Sequence, residues 1–174
     1  MDYNGNESLA HYLARTNSSK VKEILHNTSN GTIKTILEGQ SLYTHSVAYY
    51  LAHYNGATLK DILQFPSMKS KTKAVLQMKG ADNKSVAHLL AERHSEVFQT
   101  ILTTEPMKNK IPILQMQDLN GCSVAHYLAE LNQDAVPFIM KEMTPTERIT
   151  ILKIQDNTGH SVAHYLAERD SQML

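Results

Sequence analysis

Asp118-Leu119-Asn120-Gly121-Cys122-Ser123-Val124-Ala125-His126-Tyr127-Leu128-Ala129 is the stretch from which the rest of the chain is read. Asn120-Gly121 is a strong turn signal. Ser123 stands where a helix needs an N-cap, its hydroxyl accepting from an early backbone N–H. Val124, Ala125, Leu128 and Ala129 follow at helical spacing. The phrase Ser-(Val/Leu)-Ala-(His/Tyr)-(Tyr/Leu)-Leu-Ala returns at Ser8, Ser46, Ser85, Ser123 and Ser161, at intervals of 38, 39, 38 and 38 residues. Self-similarity at such a period predicts a stack of like units rather than one globule around a special pocket.

Each first helix is short. A residue tolerant of the left-handed conformation is expected to end it at Asn17, Asn55, His94, Asn132 and Asp170. A second helix follows, with an apolar stripe at fixed offsets. It is carried by Val21 with Ile24-Leu25, Leu59 with Ile62-Leu63, Phe98 with Ile101-Leu102, and Val136 with Ile139-Met140. The two helices form a hairpin, so the one-residue change of period lies outside it. Between the second helix and the next turn the sequence predicts a short third helix or an extended strap. Thr144-Pro145-Thr146-Glu147 reads as a capping box with Pro at the first helical position, and Pro112 argues against a long helix in its copy.

Asp118-x-x-Gly121-x-Ser123-Val124-Ala125-His126-x-Leu128-Ala129 resembles the ankyrin repeat, as does the copy running from Asp156 and Gly159 to His164, Leu166 and Ala167. The resemblance implies an all-α, ankyrin-like solenoid of about five stacked helix-turn-helix units in a single repeat domain, 1–174. The units lie near 4–41, 42–80, 81–118, 119–156 and 157–174, the last half complete. Three departures stand out. The period exceeds that family's (about 33 residues), Val or Leu replaces its helix-starting Pro, and copies one to three lack the Asp/Gly turn. Irregular connections are therefore expected, with the family's β-hairpin replaced by the third helix or strap. An armadillo-like right-handed stack is the alternative.

Lys+Arg and Asp+Glu both number 17, so the neutral chain offers no general attraction to nucleic acid or anionic membranes. Cys122 is the only cysteine, which leaves no intrachain disulfide and no Cys-based zinc site. Neither a signal peptide nor a membrane-spanning run is expected. The cytoplasm is the expected location. A composition rich in Asn, Lys, Ile and Met would suit a bacterial or viral effector working in a host cytosol.

His11, His88, His126 and His164 share one repeat position, which Tyr49 takes in copy two. Equivalent positions in stacked units lie roughly 8–10 Å apart, whereas one zinc needs its nitrogens about 2.0–2.1 Å away, so no metal is expected. These histidines, with Ser8, Ser46, Ser85, Ser123 and Ser161, are read as structural. One ring nitrogen reaches the serine hydroxyl and the other a backbone group of the neighbouring unit, as the resemblance to ankyrin repeats implies. With no GxSxG, no phosphate loop and no paired acids of recognised spacing, neither catalysis nor a cofactor is expected. An enzyme using a Tyr/His surface is one alternative.

Recognition is expected at positions that vary between copies, because a partner's surface is not periodic. The slot before the serine holds His45, Lys84 and His160. The slot after the histidine holds Tyr12, Tyr50, Tyr127 and Tyr165, which form either a recognition stripe or a set of rings packed rung on rung. A partner protein bound on the concave face or loop tips is the leading expectation. Lys69, Lys71, Lys73 and Lys79 with Lys108 and Lys110 would form a basic edge, the basis of a second alternative, nucleic-acid or phosphate binding. The fifth copy shows no second helix, so Met173 and Leu174 fold over that face, or a partner or second copy of the chain meets it.

Overall fold

The computed structural model describes residues 7–28, 30–131, 135–141 and 143–171. Among these the chain is all-helical. The first unit contains α1 (Leu9–Thr16), α2 (Ser18–His26) and α3 (Asn30–Glu38), the second α4 (Val47–Tyr54), α5 (Gly56–Leu63) and α6 (Thr72–Leu76). The third contains α7 (Val86–Arg93), α8 (Ser95–Thr104) and α9 (Met107–Leu114), the fourth α10 (Val124–Leu131), α11 (Ala135–Met140) and α12 (Pro145–Leu152), and the last α13 (Val162–Ser171).

Like helices touch from one unit to the next. α1 packs on α4, α4 on α7, α7 on α10 and α10 on α13; α2, α5, α8 and α11 make a second series. In the third series α6 touches α9 and α9 touches α12. The apolar offsets explain the burial. Leu25, Leu59, Ile62, Phe98 and Leu102 are sealed from solvent, as are Ala48, Ala87 and Ala129. The two end units expose what the others bury: Leu9 is 53% exposed where Val47, Val86 and Val124 are at most 1%. Ile24 is likewise exposed, and Ala163 and Ala167 are open where Ala48, Ala52, Ala87 and Ala91 are closed.

The first helices do not end in a left-handed residue. Asn17, Asn55 and His94 have φ of −150°, −156° and −142°, because each must also start the next helix. The Asn17 and Asn55 side chains accept from the N–H of Lys20 and Thr58 as N-caps. Asn132 lies outside the described residues, and α13 runs through Asp170 without a stop. The third segment is a helix in all four units that have it. Thr144 and Glu147 close a reciprocal capping box on α12, and α9 contains Pro112 within its eight residues. The extra residue of the 39-residue interval falls between Leu63 and Val75. There Phe65, Met68 and Lys71 donate in succession to the carbonyls of Ile62, Phe65 and Met68 as a chain of turns.

The connections between units are regular, against the expectation from the first three copies. Each third helix leads into the same tight hairpin. Its closing bonds run from Ser41 to His45, Gly80 to Lys84, Asp118 to Cys122 and Asp156 to His160, N–H to carbonyl, with one isolated bridge pair beside each. The fourth turn residue is left-handed every time: Thr44 (φ 62°), Asn83 (59°), Gly121 (74°) and Gly159 (88°). Glycine takes that conformation without strain and asparagine readily, threonine only at a cost. Short helix and hairpin therefore coexist; neither replaces the other. Neighbouring hairpins are tied along the molecule. The Asn83 amide donates to the Gln117 carbonyl, Gln117 to that of Gln155, and Asn157 back to that of Leu119.

Candidate functional site

Serine–histidine pairs recur in four of the five units. Nδ1 of His11, His88, His126 and His164 lies 2.7 Å from the preceding serine Oγ. In the last three, the serine N–H also donates to Nδ1. The ring thus takes the place of the Glu of a capping box. Nε2 of His11, His88 and His126 donates across the unit boundary to the carbonyl of His45, Cys122 and His160, at 3.0, 3.2 and 3.2 Å. A carbonyl only accepts, so Nε2 carries the proton; in His88 and His126 the serine N–H aimed at Nδ1 requires that nitrogen to be bare, which is a neutral imidazole. Burial pushes the pKa of His88 and His126 down, in keeping with that state.

Three tyrosines pack edge-on against the histidine of the unit before. Tyr50 meets His11 with centroids 5.1 Å apart, Tyr127 meets His88 at 5.4 Å and Tyr165 meets His126 at 5.0 Å. Their hydroxyls donate to carboxylates: Tyr50 to Glu7, Tyr127 to Asp118 and Tyr165 to Asp156. Burial and these bonds push all three phenols up, Tyr50 to about 12. They stay protonated donors at any physiological pH. Tyr50 is buried, and Tyr127 and Tyr165 are half-buried. The Tyr12 ring lies 5.7 Å from the Arg15 guanidinium carbon. This row is therefore scaffold along most of its length, with rings and hydroxyls largely engaged. Asp118 and Asp156 also organise their turns. At Asp156 burial works to raise the carboxyl, but bonds from Thr158, Tyr165 and two backbone N–H groups outweigh it and hold it well below the usual range.

The remaining expected residues scatter. His160 is exposed, with Nδ1 2.7 Å from the Thr158 hydroxyl. Lys84 donates to Glu92 at 3.1 Å while its Nζ lies 4.9 Å from the centre of the Tyr127 ring. Of the basic edge, Lys69, Lys79 and Lys108 are exposed, Lys71 and Lys73 half-buried, and Lys110 buried at 5% exposure. Lys110 is thus no part of an outer edge. Lys79 bonds Asn83. Glu105 shares a 440 Å³ recess with Lys69, which breaks the single sign of the patch. Cys122, whose thiol burial pushes up, lies 3.7 Å from the Tyr165 hydroxyl. Both ring nitrogens of His126 are bound elsewhere, so the two residues form no dyad.

A concavity of about 720 Å³ lies in the second unit. It is lined by the hairpin tip Leu42-Tyr43-Thr44, by His45, by Tyr49, Tyr50, His53 and Tyr54 of α4, and by Ala81 and Asp82 of the next hairpin. The rings are ordered. His45 stacks on Tyr49 at 4.6 Å and 8°, and His53 meets Tyr54 at 4.5 Å and 63°. Asp82 accepts from the Tyr49 hydroxyl at 3.1 Å and from the Lys84 backbone N–H. Leu42, Tyr43 and Tyr54 are 73%, 57% and 49% exposed.

Of these residues the sequence reading chose only His45 and Tyr50. The missed signal lies in the alignment of the copies. Where unit two has Leu42-Tyr43, the other hairpins have Ala81-Asp82, Leu119-Asn120 and Asn157-Thr158. Where it has His53-Tyr54, they have Arg15-Thr16, Glu92-Arg93, Glu130-Leu131 and Glu168-Arg169. Four of the chain's eight tyrosines fall between residues 43 and 54. Gly80 belongs to the same set. It takes the place of Asp118 and Asp156, and a Cβ on it would stand 2.6 Å from the His45 ring and 2.7 Å from the Tyr49 ring.

No group of three His, Cys, Asp or Glu side chains able to hold a metal occurs among the described residues. Nor is any described helix long and apolar enough to cross a membrane. No family model matches the chain, and no curated protein matches it.

Proposed function

We propose that this protein is an ankyrin-like helical-repeat array that holds a partner protein at the hairpin tips and first helices of its second unit, without chemistry of its own. Support for the array comes from the unit-to-unit contacts of like helices, the cross-unit histidine bonds and the apolar surface left open on the two end units. One observation carries the docking site. The scaffold positions repeat, while the variable positions of one unit are filled together by tyrosine and histidine around a 720 Å³ recess with exposed apolar rims. Tyrosine gives large contact area with a polar end at little entropic cost, the usual make-up of an interface anchor. A binding role is preferred to a catalytic one because the aligned histidines spend their ring nitrogens on the scaffold.

The test is photo-crosslinking from residue 43 in a lysate of the source organism or its host, followed by capture with the Tyr43→Ala/Tyr54→Ala double variant. Wild type and a His160→Ala control should capture the same partner and the double variant should lose it. Undiminished capture by the double variant would remove the recess from the reading.

A further inference from the structure

We infer that the third and fourth units carry an acid-sensitive joint between hairpin and first helix: a proton taken up at Nδ1 of His88 or His126 releases the serine N–H that holds it. In both units that nitrogen receives two donors from one residue. The Ser85 N–H reaches Nδ1 of His88 at 3.1 Å and its hydroxyl lies at 2.7 Å. For Ser123 and His126 the distances are 2.9 and 2.7 Å. The hydroxyl can rotate and become an acceptor. The backbone N–H cannot turn away, since the next N–H along the chain, on Val86 and Val124, is tied to the carbonyl of Met78 and Met116. A proton on Nδ1 therefore leaves a buried donor facing a donor, the costly way to lose a hydrogen bond. Both rings and both serines are at most 1% exposed, so water does not take over. Nε2 remains a donor in the imidazolium, so neighbouring units stay in contact while the joint loosens.

The second unit is built without this device. Tyr49 has no ring nitrogen; its hydroxyl goes to Asp82, and Ser46 caps α4 by accepting the Tyr49 N–H. Ser161 repeats the bond to His164 at 3.0 Å, but that ring is exposed. The charges around the two buried rings differ. Asp118 of the following hairpin favours a proton on His88, and Lys79 and Lys84 of its own hairpin oppose it. Asp156 and Asp118 both favour a proton on His126. Tyr127 and Tyr165, which meet the rings edge-on, stay protonated and neutral. Burial is the larger effect on both rings, so each takes up its proton below the ordinary histidine value of about 6.5.

The test is amide hydrogen exchange of the whole protein, followed by NMR as the pH is lowered from neutral. Each rate is corrected for the intrinsic pH dependence of exchange, and ring nitrogen shifts are read on the same samples. The reference is the Val47 amide, which bonds the Gly39 carbonyl at the same joint of the second unit. As His88 and His126 gain their protons, protection of the Ser85 and Ser123 amides should fall about tenfold further than that of Val47. His88→Tyr, which copies the second unit, should abolish the pH response at Ser85 and keep it at Ser123. Should that variant fail to fold, the wild-type profile decides alone. An equal fall at Val47 would mean that acid undoes the array as a whole and would overturn the inference. So would rings that titrate while both serine amides stay protected, or rings that stay neutral until the protein unfolds.

Discussion

The second and fourth units have the same order of three helices and a closing hairpin and differ in what they do with it. In the fourth, Ser123 caps α10, His126 ties it to the next unit, and Asp118 and Tyr127 close on each other. Polar side chains there are answered by polar side chains close in sequence or by the neighbouring hairpin. In the second, Tyr49 stands in place of the histidine and reaches forward to Asp82, while Tyr50 reaches back to Glu7 because Ser41 replaces the aspartate. Leu42, Tyr43 and Tyr54 are left open around a recess. The fourth unit follows the common pattern of bonds. The second departs from it at Ser41 and Tyr49 and leaves side chains open at its hairpin tip.

The largest effect should come from removing a bond of the common pattern. His126→Ala deletes a ring that is 1% exposed and leaves Ser123 and the His160 carbonyl without their partner. The expected loss is ~1–3 kcal/mol, read as a lower thermal and urea midpoint. An unchanged midpoint would mean that the cross-unit bond adds nothing. Acid should act on the same bonds. Burial lowers the pKa of His88 and His126, and of His53 and His94 outside the ladder. In the unfolded chain such groups titrate near about 6.5. Below that pH the unfolded state binds more protons than the folded one, so stability falls as pH drops from neutral and levels off below the folded values. The melting midpoint should therefore decline between pH 7.5 and 5.5, less steeply in His126→Ala. A rising midpoint would contradict the neutral assignment. The second unit, with Tyr49 at the ladder position, adds no titration of its own there.

How much of this the sequence disclosed depends on whether a position is read by identity or by conformation. The capping serines Ser46, Ser85, Ser123 and Ser161, the helix faces and the capping box at Thr144 were legible because one residue type serves one local need at each, whereas Ser8 makes no side-chain cap bond. The hairpins were not, because Thr44 and Asn83 hold the left-handed turn position that Gly121 and Gly159 hold later. Matching residue names hides a shared backbone angle. The helix ends at Asn17 and Asn55 misled for a related reason: the same residue closes one helix and caps the next, which requires an extended φ. At the recess the clue was present, since four tyrosines lie between 43 and 54. Aligning copies by what they share passes over the copy that departs from them.

Gly80 tests whether that departure is built or incidental. A Cβ there would press on both rings of the stacked His45–Tyr49 pair. Gly80→Ala should cost about 1 kcal/mol or more by overpacking and should broaden or shift the ring NMR signals of both residues. A Gly80→Ala protein with wild-type stability and unmoved rings would show that the hairpin backbone gives way freely and that the close fit at Gly80 does not shape the recess.

The smallest stability effect bears most directly on the proposed docking site. Tyr43 is 57% exposed at a hairpin tip, and surface changes of that kind stay within about 0.5 kcal/mol. Tyr43→Ala should therefore leave the melting midpoint where it is, in contrast to His126→Ala. If the two variants separate in this way, and only Tyr43→Ala loses partner binding, then the second unit spends its variable residues on recognition and the fourth on cohesion. If Tyr43→Ala instead unfolds the protein at lower temperature, its ring is part of the packing and the contrast between the two units disappears.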